Sequence, residues 1–308
     1  MLYKSLFRRA LAINFTSNTI RSTSAMASSP RSFTLDRSIF NETLYSRVRD
    51  FWFGDLPETA STPSPEAIKT WYGAGKTPEQ KQEFDSECHE NFGYALKALG
   101  PDRLTLPAFE DYEKDIQDAE NIASPLLTEV KEAQAQDTKK GSNTLLSLIL
   151  LLDQMPRNMY RDIPGLKVVY GHYDRLAFTL LHSSLKLSPN PIDHESMRLR
   201  YIWKSWYLMP LMHSEHIASH GMFEQITKRW RNDVAEANDT EAVDFIATVL
   251  GFEEKHMEPL RKFGRYPHRN EAMGRQSTKE ETEYLKSAET FGVKQQQKEP
   301  QEIEKSEL

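Results

Sequence analysis

Apolar residues recur along most of this chain at three- and four-residue spacing, a period that predicts helices. It does so over 34–52, 82–99, 107–120, 143–154, 166–187, 195–208, 212–231, 240–262 and 278–291. The period-two alternation of a half-buried strand is missing. Lys167-Val168-Val169-Tyr170 is too short for one and lies inside a helical period. The fold class is therefore all-α, expected as one helical domain over 33–292. Pro156, Pro210 and Pro267 each follow a helical stretch closely and should end or kink it. Ser277, with Glu280 three residues on, reads as a capping box opening the last helix. Segments 54–80 and 121–142 are turn-rich or polar and read as long surface loops.

Residues 145–152 are apolar at every position except Ser147, so this helix should be buried on all sides. It is still far too short for a membrane span, which needs about 18 apolar residues, and no other run comes closer.

The two ends break the pattern. Residues 1–35 carry Lys4, Arg8, Arg9, Arg21 and Arg31 and no acid, with Leu2, Leu6, Phe7, Ala10 and Leu11 near one helical face. This is how a mitochondrial presequence reads, and Met26 offers a second start for a cytoplasmic form. A disordered tail is the alternative for residues 1–32. Residues 293–308 are rich in Gln, Glu and Lys, have little to bury, and are expected to be disordered.

Composition narrows the class further. With 308 residues, 13 Gly, 10% aromatics and a single Cys, the chain is not collagen-like, disulfide-stapled or wholly disordered. The net charge is −6, and removing the five N-terminal cations leaves −11 for the rest. An acidic body argues against nonspecific nucleic-acid binding, which needs a basic face.

Four segments carry candidate chemistry. Gly73-Ala74-Gly75-Lys76-Thr77 imitates a phosphate loop, but Thr70 stands where the first glycine belongs and no strand precedes it, so it reads as a surface turn. Asp153-Gln154-Met155-Pro156-Arg157-Asn158, followed by Arg161, places polar groups at the mouth of the buried helix. There they must be hydrogen-bonded or face a ligand, since each unsatisfied group costs about 1–3 kcal/mol. His213-Ser214-Glu215-His216, with His220 beyond, sets three histidines within about 60° on a regular helix. That spacing permits metal ligation, but a buried polar network or acid–base work suits it better. Phe263-Gly264-Arg265-Tyr266-Pro267-His268-Arg269-Asn270, then Gly274-Arg275, repeats the Pro and Arg-Asn theme at a helix terminus. Upstream, Glu253 and His256 have the Glu-x-x-His spacing of di-iron bundles, without a second copy.

Taken in order, Phe51-Trp52-Phe53-Gly54, Leu152-Asp153-Gln154 with Pro156-Arg157-Asn158, His213-Ser214-Glu215, and the 263–275 segment resemble the uncharacterised family called domain of unknown function 924. The resemblance covers roughly residues 44–291. It implies a tetratricopeptide-like array of stacked antiparallel helix pairs, and it brings no substrate or catalytic assignment.

Arginine is charged at every relevant pH, so each Arg placed beside apolar sequence needs a carboxylate or an anion. On that ground Asp153, Arg157, His213, Glu215, Arg265, His268 and Arg269 are expected to meet in one polar pocket, with Asn158, Arg161 and Asn270 completing a ligand-binding set. Arg157, Arg265 and Arg269 against Asp153 and Glu215 leave one positive charge over, which a small anionic ligand would neutralise; the same groups are also of the kinds that catalysis uses. A peptide- or protein-binding scaffold is the alternative that the implied fold brings, and a purely structural lock is a third. No cofactor and no particular reaction can be assigned from these residues.

Overall fold

The leucine-rich stretch 145–152 lies at the centre of the molecule: Leu145, Leu146, Leu148, Ile149, Leu150, Leu151 and Leu152 are all 0% exposed. Ser147, its one polar residue, is satisfied there. Its hydroxyl donates to the Tyr45 carbonyl at 2.7 Å and accepts from Arg49 at 2.6 Å. The computed structural model describes residues 33–73 and 75–288. The expected presequence over 1–32, the polar tail over 293–308 and the end of the expected helix 278–291 lie outside the described residues.

Among the described residues all regular structure is helical. The order is α1 (Glu42–Phe53), α2 (Pro65–Tyr72), α3 (Pro78–Leu99), α4 (Tyr112–Gln117), α5 (Ala119–Ile122), α6 (Ser124–Gln136) and α7 (Thr138–Ile149). Next come α8 (Met155–Met159), α9 (Ile163–Val168), α10 (Asp174–Ser184), α11 (Tyr201–Lys204), α12 (Met209–Met212), α13 (Ile217–Glu236), α14 (Thr240–Phe263) and α15 (Lys279–Leu285). A π-helical turn, Leu150–Gln154, joins α7 to α8, and a second, Val169–Tyr173, joins α9 to α10.

The two expected long loops are instead largely helical. Segment 54–80 contains α2 and the start of α3, each opened by a hydroxyl cap with proline behind it: Ser64 before Pro65 and Thr77 before Pro78. Segment 121–142 contains α6 and the start of α7; most of its polar residues face water, Glu129 and Ser142 are buried, and Leu126, Leu127 and Val130 enter the core. The capping box also shifts by one residue, to Thr278 and Glu281. Gly73 is the left-handed cap of α2 and Thr77 the cap of α3, so the glycine-rich segment serves to turn the chain between two helices.

Two hairpins, α6–α7 and α13–α14, are joined by very short turns, Asp137 and residues 237–239. In the first, Gly141 lets the helices approach closely, because a Cβ there would lie 2.6 Å from Cβ and 2.8 Å from Cα of Gln134. Gly141→Ala is therefore expected to force the hairpin apart and cost about 1–3 kcal/mol, the usual cost of overpacking. Urea denaturation checks it, and an unchanged midpoint would contradict the close approach.

Candidate functional site

The two π-turns open onto the same polar region. A π-turn puts one extra residue into a helical turn, shifts the side chains beyond it, and recurs at functional sites. The first ends on Asp153 and Gln154; the second is followed at once by Asp174. These are two of the three carboxylates on which the region is built.

Asp153 is fully buried and held on three sides. It accepts from the Gln154 amide at 2.5 Å and from His213 Nδ1 at 2.9 Å, and Arg157 lies 3.5 Å away. Burial pushes its carboxyl up, but His213 and Arg157 outweigh that and bring it down to about 2. Burial and the Arg157 charge together lower the His213 imidazole, more than Asp153 raises it. The pair is therefore an aspartate and a neutral histidine whose proton sits on Nδ1 and is donated to Asp153.

Asp174 bridges two arginines. Arg157 Nη2 donates to Oδ1 at 2.8 Å, and Arg269 Nη1 lies 3.7 Å from Oδ2. The Arg269 side chain is 6% exposed, and its Nε is buried without a hydrogen bond. Its guanidinium instead lies over the rings of Tyr170 and Tyr266, at 4.4 and 4.8 Å from their centroids. Glu215, the third carboxylate, takes a bidentate pair from Arg275 at 2.6 and 2.8 Å and the Tyr266 backbone N–H at 2.8 Å. Burial raises Glu215, and Arg275 and Arg269 more than reverse that, so its carboxyl is lowered.

Further histidines line this region. His256 is 6.2 Å from His213 between ring centroids, and His268 stacks on Tyr266 at 5.4 Å. Burial, and then His213, pushes His256 down to about 3, and burial, and then Arg269, pushes His268 down to about 2, so both are neutral near pH 7.

Of the residues expected to converge, Asp153, Arg157, His213, Glu215, His268 and Arg269 do so. Arg265 does not. Its guanidinium pairs with Glu281 at 2.7 and 2.9 Å, and Asn270 donates to the same carboxylate at 3.2 Å, which ties the 263–275 turn to α15. Arg161 is 50% exposed and forms a bidentate pair with Asp85 on α3. Asn158 caps the Gln154 carbonyl. Arg275 takes the place expected of Arg265, and Asp174 joins as a third carboxylate. The surplus charge expected from sequence is thus corrected: three arginines face three carboxylates.

The expected regular helix over 212–231 begins only at Ile217, because residues 213–216 form an irregular turn after Pro210. The three histidines therefore diverge: His213 goes to Asp153, His216 to Glu113 at 2.9 Å, and His220 to Glu253 at 2.5 Å. Glu253 of the Glu-x-x-His pair is thereby committed to a buried partner. Among the described residues no three His, Cys, Asp or Glu are grouped to hold a metal ion. No helix among them is long and apolar enough to cross a membrane.

What fold and site define is an all-helical protein with a buried, charge-matched cluster of arginines, carboxylates and neutral histidines. The chain belongs to the family described as a bacterial protein of unknown function, DUF924, whose model matches residues 48–289. No curated protein matches it. A solved structure similar to it is a protein of unknown function, ATU0120 from Agrobacterium tumefaciens. That protein is 22% identical, over 79% of this chain and 97% of that one, with a TM-score of 0.41.

Proposed function

We propose that the Arg269 region binds a small molecule through a carboxylate or phosphate oxyanion. One observation carries this reading: an arginine side chain only 6% exposed whose Nε is fully buried without a hydrogen bond, and whose Nη1 comes no nearer to its ion-pair partner Asp174 than 3.7 Å. Leaving a buried charged donor unsatisfied is costly, and a planar fork of donors matches an oxyanion bidentately. Arg157 Nε is likewise buried and unbonded. The two tyrosine faces hold the Arg269 plane in place, so little side-chain freedom is lost on binding.

The matched charges favour a second reading, in which the cluster only locks the ends of the surrounding helices. Thermal unfolding with inorganic phosphate or succinate separates the two. Under the binding reading, millimolar anion raises the melting temperature of the wild-type protein, since a ligand at 100 times its Kd adds about 2.7 kcal/mol. Arg269→Met keeps much of the bulk and loses that response. An equal response in Arg269→Met, or none in the wild type with either anion, removes the binding reading. The hairpins α6–α7 and α13–α14 are the elements from which tetratricopeptide-like stacking would be built, and we read the frame in that sense.

A further inference from the structure

The Asp153–His213 pair does more than the structural locks elsewhere in the fold. His220 spends both ring nitrogens on the protein, Nδ1 on Glu253 and Nε2 on the Ser214 carbonyl at 2.8 Å. His216 likewise uses both, on Ser219 and Glu113. His213 bonds Asp153 through Nδ1, and no group of the described residues meets its Nε2. The His213 side chain keeps 18% of its surface exposed, while that of Asp153 keeps none. Nε2 is unbonded but not fully buried, so the partnered nitrogen is fixed on the buried carboxylate while the lone pair stays accessible, the arrangement of a general base oriented by a carboxylate.

We infer that His213 is a general base for small acids bound at Arg269, with Asp153 as its positioning residue. This rests on the reading of Arg269 as an oxyanion site. The molecules that fit carry an O–H on or beside the anionic group: hydroxycarboxylates and hydrogen-phosphate esters. In the step, the O–H bond of the ligand breaks, its proton forms the Nε2–H bond, and the electron pair stays on the ligand oxygen. The new negative charge falls to Arg157 and Arg269, and the imidazolium is stabilised by Asp153 at 2.9 Å. The charged and titratable groups facing His213 are Asp153 from the π-turn Leu150–Gln154, Arg157 from α8, Asp174 from α10 and His256 from α14. In the free protein burial, and then the Arg157 charge, keep the ring neutral, so the base is ready near pH 7.

Imidazole nitrogen NMR on the full chain at pH 7, with inorganic phosphate as the probe and His213→Gln for assignment, tests this. Free His213 is expected as the Nδ1–H form only. Saturating phosphate should move Nε2 from the range of an unprotonated nitrogen to that of a protonated one. Asp153→Asn should still bind phosphate but leave Nε2 unprotonated, a change that a purely structural role for Asp153 would not produce. An Nε2–H tautomer in the free protein, or an Nε2 that stays unprotonated with phosphate bound, overturns the dyad. Failure of phosphate to bind overturns the Arg269 reading instead. The free-protein tautomer then still decides the dyad, which stands if the proton is on Nδ1 and falls if it is on Nε2.

Discussion

Lowering the pH from 7 to 5 is expected to remove about 4 kcal/mol of folding stability, well before the carboxylates begin to titrate. The cause is buried neutral histidine. Burial pushes His182 down to about 4, His256 to about 3 and His268 to about 2, each from an ordinary value of 6.5. The unfolded chain therefore takes up protons as pH falls through 6.5 while the folded chain does not. Stability present above pH 6.5 is lost at about 1.4 kcal/mol per pH unit for each such group, until its folded pKa is reached. His182 is 5% exposed and alone amounts to about 2 kcal/mol at pH 5. His256 and His268 are half-buried, so solvent screening reduces their share, and together they add about as much again.

The hydrogen-bond directions near His182 agree with its neutral form. The His216 ring can donate Nε2–H to Glu113 and accept the Ser219 hydroxyl at Nδ1, which leaves Ser219 Oγ to accept from His182 Nε2 at 3.3 Å. The carboxylate contribution is lost later in the same direction. Asp153 and Glu281 are held at about 2, so what they contribute is present above their unfolded values near 4 and is lost only below that. Urea midpoints at pH 7, 6 and 5 should fall progressively, and His182→Gln should flatten the slope by about 1.4 kcal/mol per unit. A midpoint unchanged between pH 7 and 5 would show that these rings are protonated in the folded chain.

The parts of this architecture that the sequence made legible are those governed by short-range rules. The burial of 145–152 came from composition, and the meeting of Asp153 with Arg157 from their spacing of one helical turn. Charge cost correctly brought His213, Glu215 and Arg269 to the same place from distant segments, because a buried arginine beside apolar sequence has few alternatives. Which arginine meets which acid was not legible. Arg265 and Arg275 are ten residues apart and both are exposed in part; Glu281 takes the first and Glu215 the second through the turn geometry of 264–275.

Asp174 was hidden for a different reason. In an unbroken helical period over 166–187 it reads as a surface residue. The π-turn at Val169–Tyr173 changes the helical register from Asp174 onward, yet it leaves no mark on apolar spacing. The misread loops at 54–80 and 121–142 have a third cause. Their helices have a narrow apolar face, and their polar content outweighs the helix-start signals at Ser64, Thr77 and Asp137.

Asp174→Asn is expected to destabilise the protein by about 3–5 kcal/mol and to make it depend on anions. Asparagine preserves shape and one acceptor but removes the charge that Arg157 and Arg269 share at 2.8 and 3.7 Å. Breaking a buried pair on one side leaves an uncompensated charge, which is costly, and here two cations lose the same counterion. For a chain of this size the loss corresponds to roughly 6–20 °C in melting temperature. The cluster then holds three arginines against Asp153 and Glu215, so one positive charge is left over beside a guanidinium whose Nε is unbonded. Inorganic phosphate should restore more of the melting temperature in Asp174→Asn than it adds to the wild type, because the same anion now relieves an electrostatic cost as well as filling donors. Asp153→Asn should show less of this signature: it takes a counterion from Arg157 alone, at 3.5 Å, and Arg157 keeps Asp174 at 2.8 Å while Arg269 is untouched. A large loss in Asp174→Asn with no extra phosphate response would mean that no ion reaches Arg269 even when charge demands one, and the cluster would then be a lock of helix ends and not a binding site.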